Sequence, residues 1–291
     1  MELSHLKYFM EAADMQHITK AAHNLFITQP SLSKTIKNLE DEIGVKLFDR
    51  VGKRIQLNAK GRVVYKYTKK IFENLDSMKT EIEDLREASA NTLTIAMSAA
   101  TKLTPVMLMG FHTKYPAIKI EILYDLPEDE MRKNSDLYIT ASRERPSDES
   151  SSVLLEEECF IALPVNHAQA KKNEIQLRDL ENENFLVLYR HKSLGEMTRD
   201  LCISAGFKPN IVLECSHHDT ILTFIAIGMG IAIIPSISWN DYSMYPIKTV
   251  RLKDAPCHRY VNIYWHNDRY ISQAARLFMD FAHQFFRDLT S

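Results

Sequence analysis

The sequence predicts an α/β chain of 291 residues that carries a small all-α head with a β wing. Three patterns predict it. Between Thr19 and Arg50 a helix, a short turn, a second helix and a basic hairpin follow one another. From Val64 to Leu85 apolar residues recur in steps of four and three. Beyond Thr92, short apolar strands alternate with amphipathic helices, the pattern of α/β layers.

The chain opens on an amphipathic helix with Leu6, Phe9, Met10 and Ala13 on its inner side. That mixture is no secretory signal, and no apolar run approaches the ~20 residues that span a bilayer; a soluble, cytoplasmic chain without a membrane partner is expected. The next helix is expected to open on Thr19, whose hydroxyl suits an N-cap, and to bury Ala21, Ala22 and Leu25. After Phe26 and Ile27, Thr28 caps the following helix, and Pro30 occupies its first turn, where a missing N–H costs nothing. Leu32, Ile36, Leu39 and Ile43 form its inner face, and Pro30, Ser33, Lys34 and Lys37 share the outer one. A small, polar, cationic face of this kind fits a major groove, with Gln29 or Ser33 toward base edges and the lysines toward phosphates.

An ordinary surface helix carries a similar face, and the residues that follow decide between the two. Gly44 stops the helix, 45–48 and 55–57 read as short strands, and Gly52, Lys53 and Arg54 form the tip between them. Arg50 to Lys70 holds eight Lys or Arg and no Asp or Glu. Residues 1–70 hold thirteen basic against seven acidic residues, so a formal net charge of -2 leaves the remainder at minus eight. A basic head on an acidic body suits docking on phosphate.

Five features of this region resemble the LysR-type transcriptional regulators in order and spacing: the pair Ala21-Ala22, QPSLS at 29–33, Leu39-Glu40, GVKLFDR at 44–50 and LNAKG at 57–61. The resemblance implies a winged helix-turn-helix, a long linker helix and a two-lobed, periplasmic-binding-protein-like effector domain. It places these at 1–60, 61–90 and 91–291, with lobe I at 91–163 and 266–291 and lobe II at 164–265. It implies a sequence-specific regulator of transcription that binds double-stranded DNA, works with RNA polymerase, forms a dimer or tetramer, and responds to a small molecule held between the lobes. With the faces read above, the DNA-binding candidates are Thr28, Gln29, Pro30, Ser31, Ser33, Lys34, Lys37, Arg50, Lys53 and Arg54.

Between Asn58 and Glu87 no glycine follows Gly61 and no proline occurs. Val64, Thr68, Ile71, Leu75, Met78, Ile82 and Leu85 make a 3.5-residue seam, narrower than the stripe of a helix lying on its own domain. A homodimer joined there sets two recognition helices on one side of DNA, which predicts an inverted-repeat operator with half-sites about one helical turn apart.

A composition break at 88–91 reads as a hinge. Strands are then expected at 92–97, 118–124, 136–140 and 159–164, a helix at 103–115, and a polar loop at 143–152. A second lobe follows with strands at 185–189, 211–215 and 231–234 and helices at 193–205 and 219–229. Strand 261–265 and helix 271–289 return to the first lobe, so the chain crosses twice between two lobes that enclose a cleft. Small anions collect where strands end and helices begin, because free N–H groups and the helix dipole attract them. Two such openings are 98–101 and 189–193. By resemblance both line the cleft, with the His217-His218 turn beside it. The effector candidates are therefore Ser98, Ala100, Thr101, Tyr189, Ser193, His217 and His218, and the effector is anionic if it uses those N–H groups. Plain N-capping is the alternative for Ser98, Thr101 and Ser193. A surface turn is the alternative for the histidines, which have no carboxylate or cysteine spaced to complete a metal site. No cofactor is expected.

Cys159, Cys202, Cys215 and Cys257 fit no zinc spacing, so buried thiols in a reducing compartment are expected. Peroxide-sensing members of the family pair a reactive with a resolving cysteine in the segment matching 191–202. Here Cys202 takes the resolving position and Ser193 the reactive one, and a serine supplies no thiolate. Gly228-Met229-Gly230 stands after a helix and before a strand, the reverse of a dinucleotide fingerprint, and reads as a helix stop. The stretch before Asp136 is about five residues shorter than the family's, with PEDE at 127–130 where a helix normally begins, so one cleft wall is expected to be truncated. No hydrolase, zinc-protease or P-loop motif supports an enzyme. A solute-binding protein would leave the basic wing without a purpose.

Overall fold

A computed structural model describes residues 1–52, 54–84, 92–124, 126–189, 193–239, 242–253 and 257–290. They divide into two units, the first being Met1–Ile82 with Asp268–Tyr270. In it α1 (Leu3–Met15), α2 (Ile18–Asn24) and α3 (Gln29–Ile43) pack through Leu6, Phe9, Ala12, Ala21, Ala22, Leu32 and Leu39. Ala12, not Met10, fills the inner face of α1. Only Gln16 and His17 separate α1 from α2, so α2 starts at Ile18; Thr19 lies inside it and caps nothing. Thr28 does cap α3, accepting from the Ser31 N–H at 3.4 Å, and Gly44 ends that helix in the left-handed conformation at φ 81.

The wing pairs β1 (Phe48–Val51) antiparallel with β2 (Arg54–Leu57). β1 begins later than expected because the Leu47 N–H is bound by Glu40 Oε1 at 2.8 Å. Glu40 is buried, and its Oε2 accepts from Lys46 Nζ at 2.7 Å, so one carboxylate ties the last turns of α3 to the start of the wing. Helix α4 (Ala59–Asp84) follows at once, with the Asn58 side chain accepting from the Gly61 N–H at 2.8 Å. A Cβ at Gly61 would lie 2.0 Å from the Leu47 carbonyl oxygen, so the close crossing of wing and helix needs glycine. The seam on α4 divides. Val64 and Ile71 pack against the unit's own Leu6, Phe9, Leu39 and Leu47, Thr68 is buried, and Met78 and Ile82 are exposed. Leu85 and the expected hinge at 88–91 lie outside the described residues.

The second unit begins with β3 (Thr92–Met97), followed by α5 (Thr104–Lys114), β4 (Lys119–Tyr124), α6 (Glu128–Asn134) and β5 (Leu137–Ser142), with β3 parallel to both β4 and β5. β6 (Ser151–Pro164) then runs into a second core. There follow β7 (Glu174–Ile175), β8 (Asn184–Leu188), α7 (Ser193–Ser204), β9 (Asn210–Cys215), α8 (His218–Ala226), β10 (Ala232–Pro235) and β11 (Ile247–Leu252). β12 (His258–Tyr264) and α9 (Gln273–Thr290) close the first core, and Gly228, at φ 83, stops the chain beyond α8. The large sheet has the order β4-β3-β5-β12-β6-β11-β7, with β10 also on β6, while β8 and β9 pair in parallel.

β6 joins the lobes. Its first half pairs with β12, and from Cys159 onward it pairs with β10 and β11. The apolar pattern alone starts this strand at 159 and β12 at 261, because Glu156-Glu157-Glu158 and His258-Arg259 break it. The structure shows why they belong: Glu157 and Arg259 are buried against each other. The wall expected to be truncated is present as α6, a single short helix whose first turn carries Glu128, Asp129 and Glu130 and whose last turn carries Arg132 and Lys133, charges that favour its dipole.

Replacing Glu40 by Ala leaves the buried Leu47 N–H without its acceptor. We expect a loss of about 1–3 kcal/mol in the urea unfolding of the full chain, with Glu40→Gln losing less. Equal stability of Glu40→Ala and the parent would refute the role of this carboxylate.

Candidate functional site

Two surfaces bring the candidate residues together. On the first unit, α3 exposes Gln29, Pro30, Ser31, Lys34 and Lys37, with Ser33 half-buried beside them. Gln29 Nε2 donates to Ser33 Oγ at 2.9 Å, which holds both polar groups at one end of the helix. Thr28 spends its hydroxyl on the cap. Arg50 and Arg54 are exposed on the wing around Gly52, at φ 64, and Lys53 lies outside the described residues. The helix thus offers an amide and a hydroxyl at its start, cations one and two turns on, and two guanidinium groups on a separate hairpin. Such a set can bind a phosphate backbone while reaching base edges.

The second surface is a cleft within the second unit, holding two adjoining cavities of about 260 and 290 Å³. Ser98, Ser193, Leu194 and Arg259 line both. The first cavity is walled further by Ala99, Ala100, Thr101, Tyr124, Leu188, Ser216, His217, His218 and Trp239, among which there is no carboxylate. The second is walled by Glu128, Met131, Thr140, Ala141, Ser142, Arg143, Glu196, Met197 and Asp200.

Local structure explains most of these positions. Ser98 follows β3, donates through Oγ to Thr140 Oγ1 at 3.0 Å and so is no helix cap. Ala100 takes a left-handed backbone at φ 54, which turns the chain along the cleft before α5 starts at Thr104. Thr101 therefore does not cap α5 either; it lines the cavity. Ser193 opens α7, and Gly195 lets that helix approach β8, since a Cβ there would lie 2.1 Å from the Leu188 carbonyl oxygen. His217 and His218 open α8 and line the first cavity rather than a plain surface turn. His218 packs on Trp239 with ring centroids 5.4 Å apart, and burial lowers its pKa below the usual histidine value, which leaves the imidazole neutral near pH 7. Lys102 and Asp219 form an ion pair of 3.1 Å between the segments carrying Thr101 and His218. Tyr189 is not among the lining residues of either cavity; its N–H joins the Cys215 carbonyl at 2.9 Å. Among the described residues no group of His, Cys, Asp and Glu is placed to hold a metal ion.

Arg259 is a cleft residue that no sequence motif marks. Its Nε donates to Glu157 Oε1 at 2.8 Å and its Nη2 to Ser238 Oγ at 2.6 Å, while Glu157 also accepts from the Ile237 N–H, the Ser238 N–H and the Ser238 hydroxyl. Glu157 is thereby satisfied by four donors, and Arg259, 4% exposed, lines both cavities with no protein acceptor for its Nη1 among the described residues. An arginine inside a strand of apolar neighbours was the available signal. Tyr124, Trp239, Arg143, Glu128, Glu196 and Asp200 were missed too, and only the fold brings them together. Cys202 is buried on α7, and burial pushes its thiol up to about 12, so it is a thiol and not a thiolate at neutral pH.

The profile of the LysR substrate binding domain matches residues 86–287, and that of the bacterial regulatory helix-turn-helix protein, lysR family, matches residues 3–62. The chain is 32% identical over 287 residues to the uncharacterized HTH-type transcriptional regulator YybE of Bacillus subtilis (strain 168), spanning 97% of this chain and 98% of that one. It is 29% identical over 297 residues to the transcriptional dual regulator GltC of the same organism, spanning 99% of each. A solved structure of full-length OxyR from Pseudomonas aeruginosa, a single-residue variant, shares 23% identity at a TM-score of 0.66, spanning 97% of this chain and 94% of that chain. That likeness speaks for the fold.

Proposed function

The chain belongs to the LysR family of bacterial transcriptional regulators, with a DNA-binding helix-turn-helix and a substrate-binding domain for an effector, and from that premise we propose how its residues divide the work. Gln29 and Ser33 read or position against base edges, Lys34 and Lys37 hold phosphates, and Arg50, Lys53 and Arg54 follow the backbone from the wing. Thr28, Pro30 and Ser31 shape the opening of the helix. The exposed end of the α4 seam, at Met78 and Ile82, joins two copies, so the operator is an inverted repeat and RNA polymerase is the partner that reads the outcome. We assign 1–60, 61–90 and 91–291 to DNA binding, linkage and effector binding. The chain works in the cytoplasm by binding, not catalysis.

The effector carries an anionic group. The observation that carries this reading is the shared lining of the two cavities: Ser98, Ser193 and Arg259 converge where they meet, on the cationic edge that Glu157 leaves unused. Thr101, Ala100 and the His217-His218 opening complete the first cavity.

Three outcomes test the proposal. On a duplex recovered by in vitro selection, Lys37→Ala should weaken binding to all sequences alike and reduce the salt slope by about one unit, whereas Gln29→Ala should relax one base position at a cost of roughly 1–3 kcal/mol. Wild-type affinity and salt dependence in both would refute the recognition helix. Ile82→Asp should shift sedimentation to the monomer, since a buried unpaired charge costs several kcal/mol; an intact dimer would move the interface elsewhere. In a thermal-shift screen of the full chain, small carboxylates, 2-oxo acids and amino acids should stabilise it and their carboxamides, which lack the anionic group, should not. For the best of them, Thr101→Val and Ser193→Ala should each lose about 1–3 kcal/mol of affinity. Equal stabilisation by the amides would sink the anionic reading.

A further inference from the structure

The two cavities meet at one cation and differ sharply beyond it. The second carries Glu128, at the start of α6, and Glu196 and Asp200, one turn apart on α7. Among the described residues none of these carboxylates forms an ion pair, and Arg143, exposed, is the one other cation lining that cavity. The first cavity has no carboxylate among the described residues of its lining, and Tyr124, Leu188, Leu194 and Trp239 give it apolar and aromatic walls. Arg259, 4% exposed, lines both, and its Nη1 has no protein acceptor among the described residues.

A simple anion on Arg259 would bring its charge toward three carboxylates, and a simple amine would face the guanidinium. A ligand with both charges on adjacent atoms satisfies both sides, because opposite charges attract on each side of the junction. Its remaining substituent then points away from the acidic compartment, into walls that reward apolar surface. We propose that the effector is a free α-amino acid with an uncharged apolar or aromatic side chain: carboxylate on Arg259 and Ser193, ammonium toward Glu196, Asp200 and Glu128, side chain in the cavity of Trp239. The proposal rests on the anionic reading of the cleft and sharpens it.

The test is isothermal titration of the full chain with three matched sets: L-leucine, L-phenylalanine and L-methionine; their 2-oxo acids, which lack the ammonium; and their decarboxylated amines. The parent chain should bind at least one amino acid about tenfold more tightly than its 2-oxo acid. In the double variant Glu196→Gln, Asp200→Asn, both exposed positions, that preference should disappear while the 2-oxo acid binds as before or better. Equal binding of amino acid and 2-oxo acid by the parent overturns the amino-acid assignment and leaves the anionic reading standing. An amine that binds as tightly as its amino acid overturns both. A preference that survives the double variant overturns the placement of the ammonium. No heat from any amino acid at about 10 mM overturns the proposal, since binding so weak would leave the cleft empty.

Discussion

The buried pair of Glu157 and Arg259 is the constraint on which the second unit depends. It links β6, the strand that joins the lobes, to β12, the strand that returns, and through Ser238 it fixes the segment after β10. A buried carboxylate is costly unless every lone pair is used, and this one accepts four hydrogen bonds. Replacing both residues by apolar ones would leave the Ile237 and Ser238 N–H groups without their acceptor. The pair makes sense as a positioning device: the carboxylate holds Nε, Ser238 holds Nη2, and the third nitrogen keeps no protein acceptor among the described residues, on a side chain that lines both cavities. An arginine suits this because its planar fork is fixed once two of its nitrogens are held.

The first unit uses a smaller version of the same idea. Glu40 is buried at the end of the recognition helix and binds the Leu47 N–H, so the wing leaves α3 at a set angle. Asn58 and Gly61 then bring α4 against the same Leu47 carbonyl region. Helix, wing and linker helix meet around one short stretch of backbone. The face carrying Lys34 and Lys37 is thereby held in place by Glu40, Asn58 and Gly61.

Much of this was legible in the sequence, for identifiable reasons. The α3 cap at Thr28, the stop at Gly44 and the inner face of Leu32, Ile36 and Leu39 follow from local rules and hold in the structure. β3 lies at 92–97 as its apolar run predicts. What failed was long-range. β6 and β12 were read too short because Glu157 and Arg259 break apolar alternation, and each is tolerated only because the other lies across the strand pair. The α4 seam was read as one interface, but Val64 and Ile71 serve the unit's own core. Thr101 and Ser193 were found by strand-end position, whereas Glu128, Glu196 and Asp200 have no shared sequence signal and meet only when α6 and α7 face each other across the cleft.

The central claim is that Arg259 is held in place to receive the effector. A crystal structure of the full chain grown with the amino acid that stabilises it most tests this directly. The account predicts a ligand carboxylate within hydrogen-bond distance of Arg259 Nη1, with Glu157 still on Nε. A ligand carboxylate bound elsewhere in the cleft, with Arg259 untouched, would contradict it.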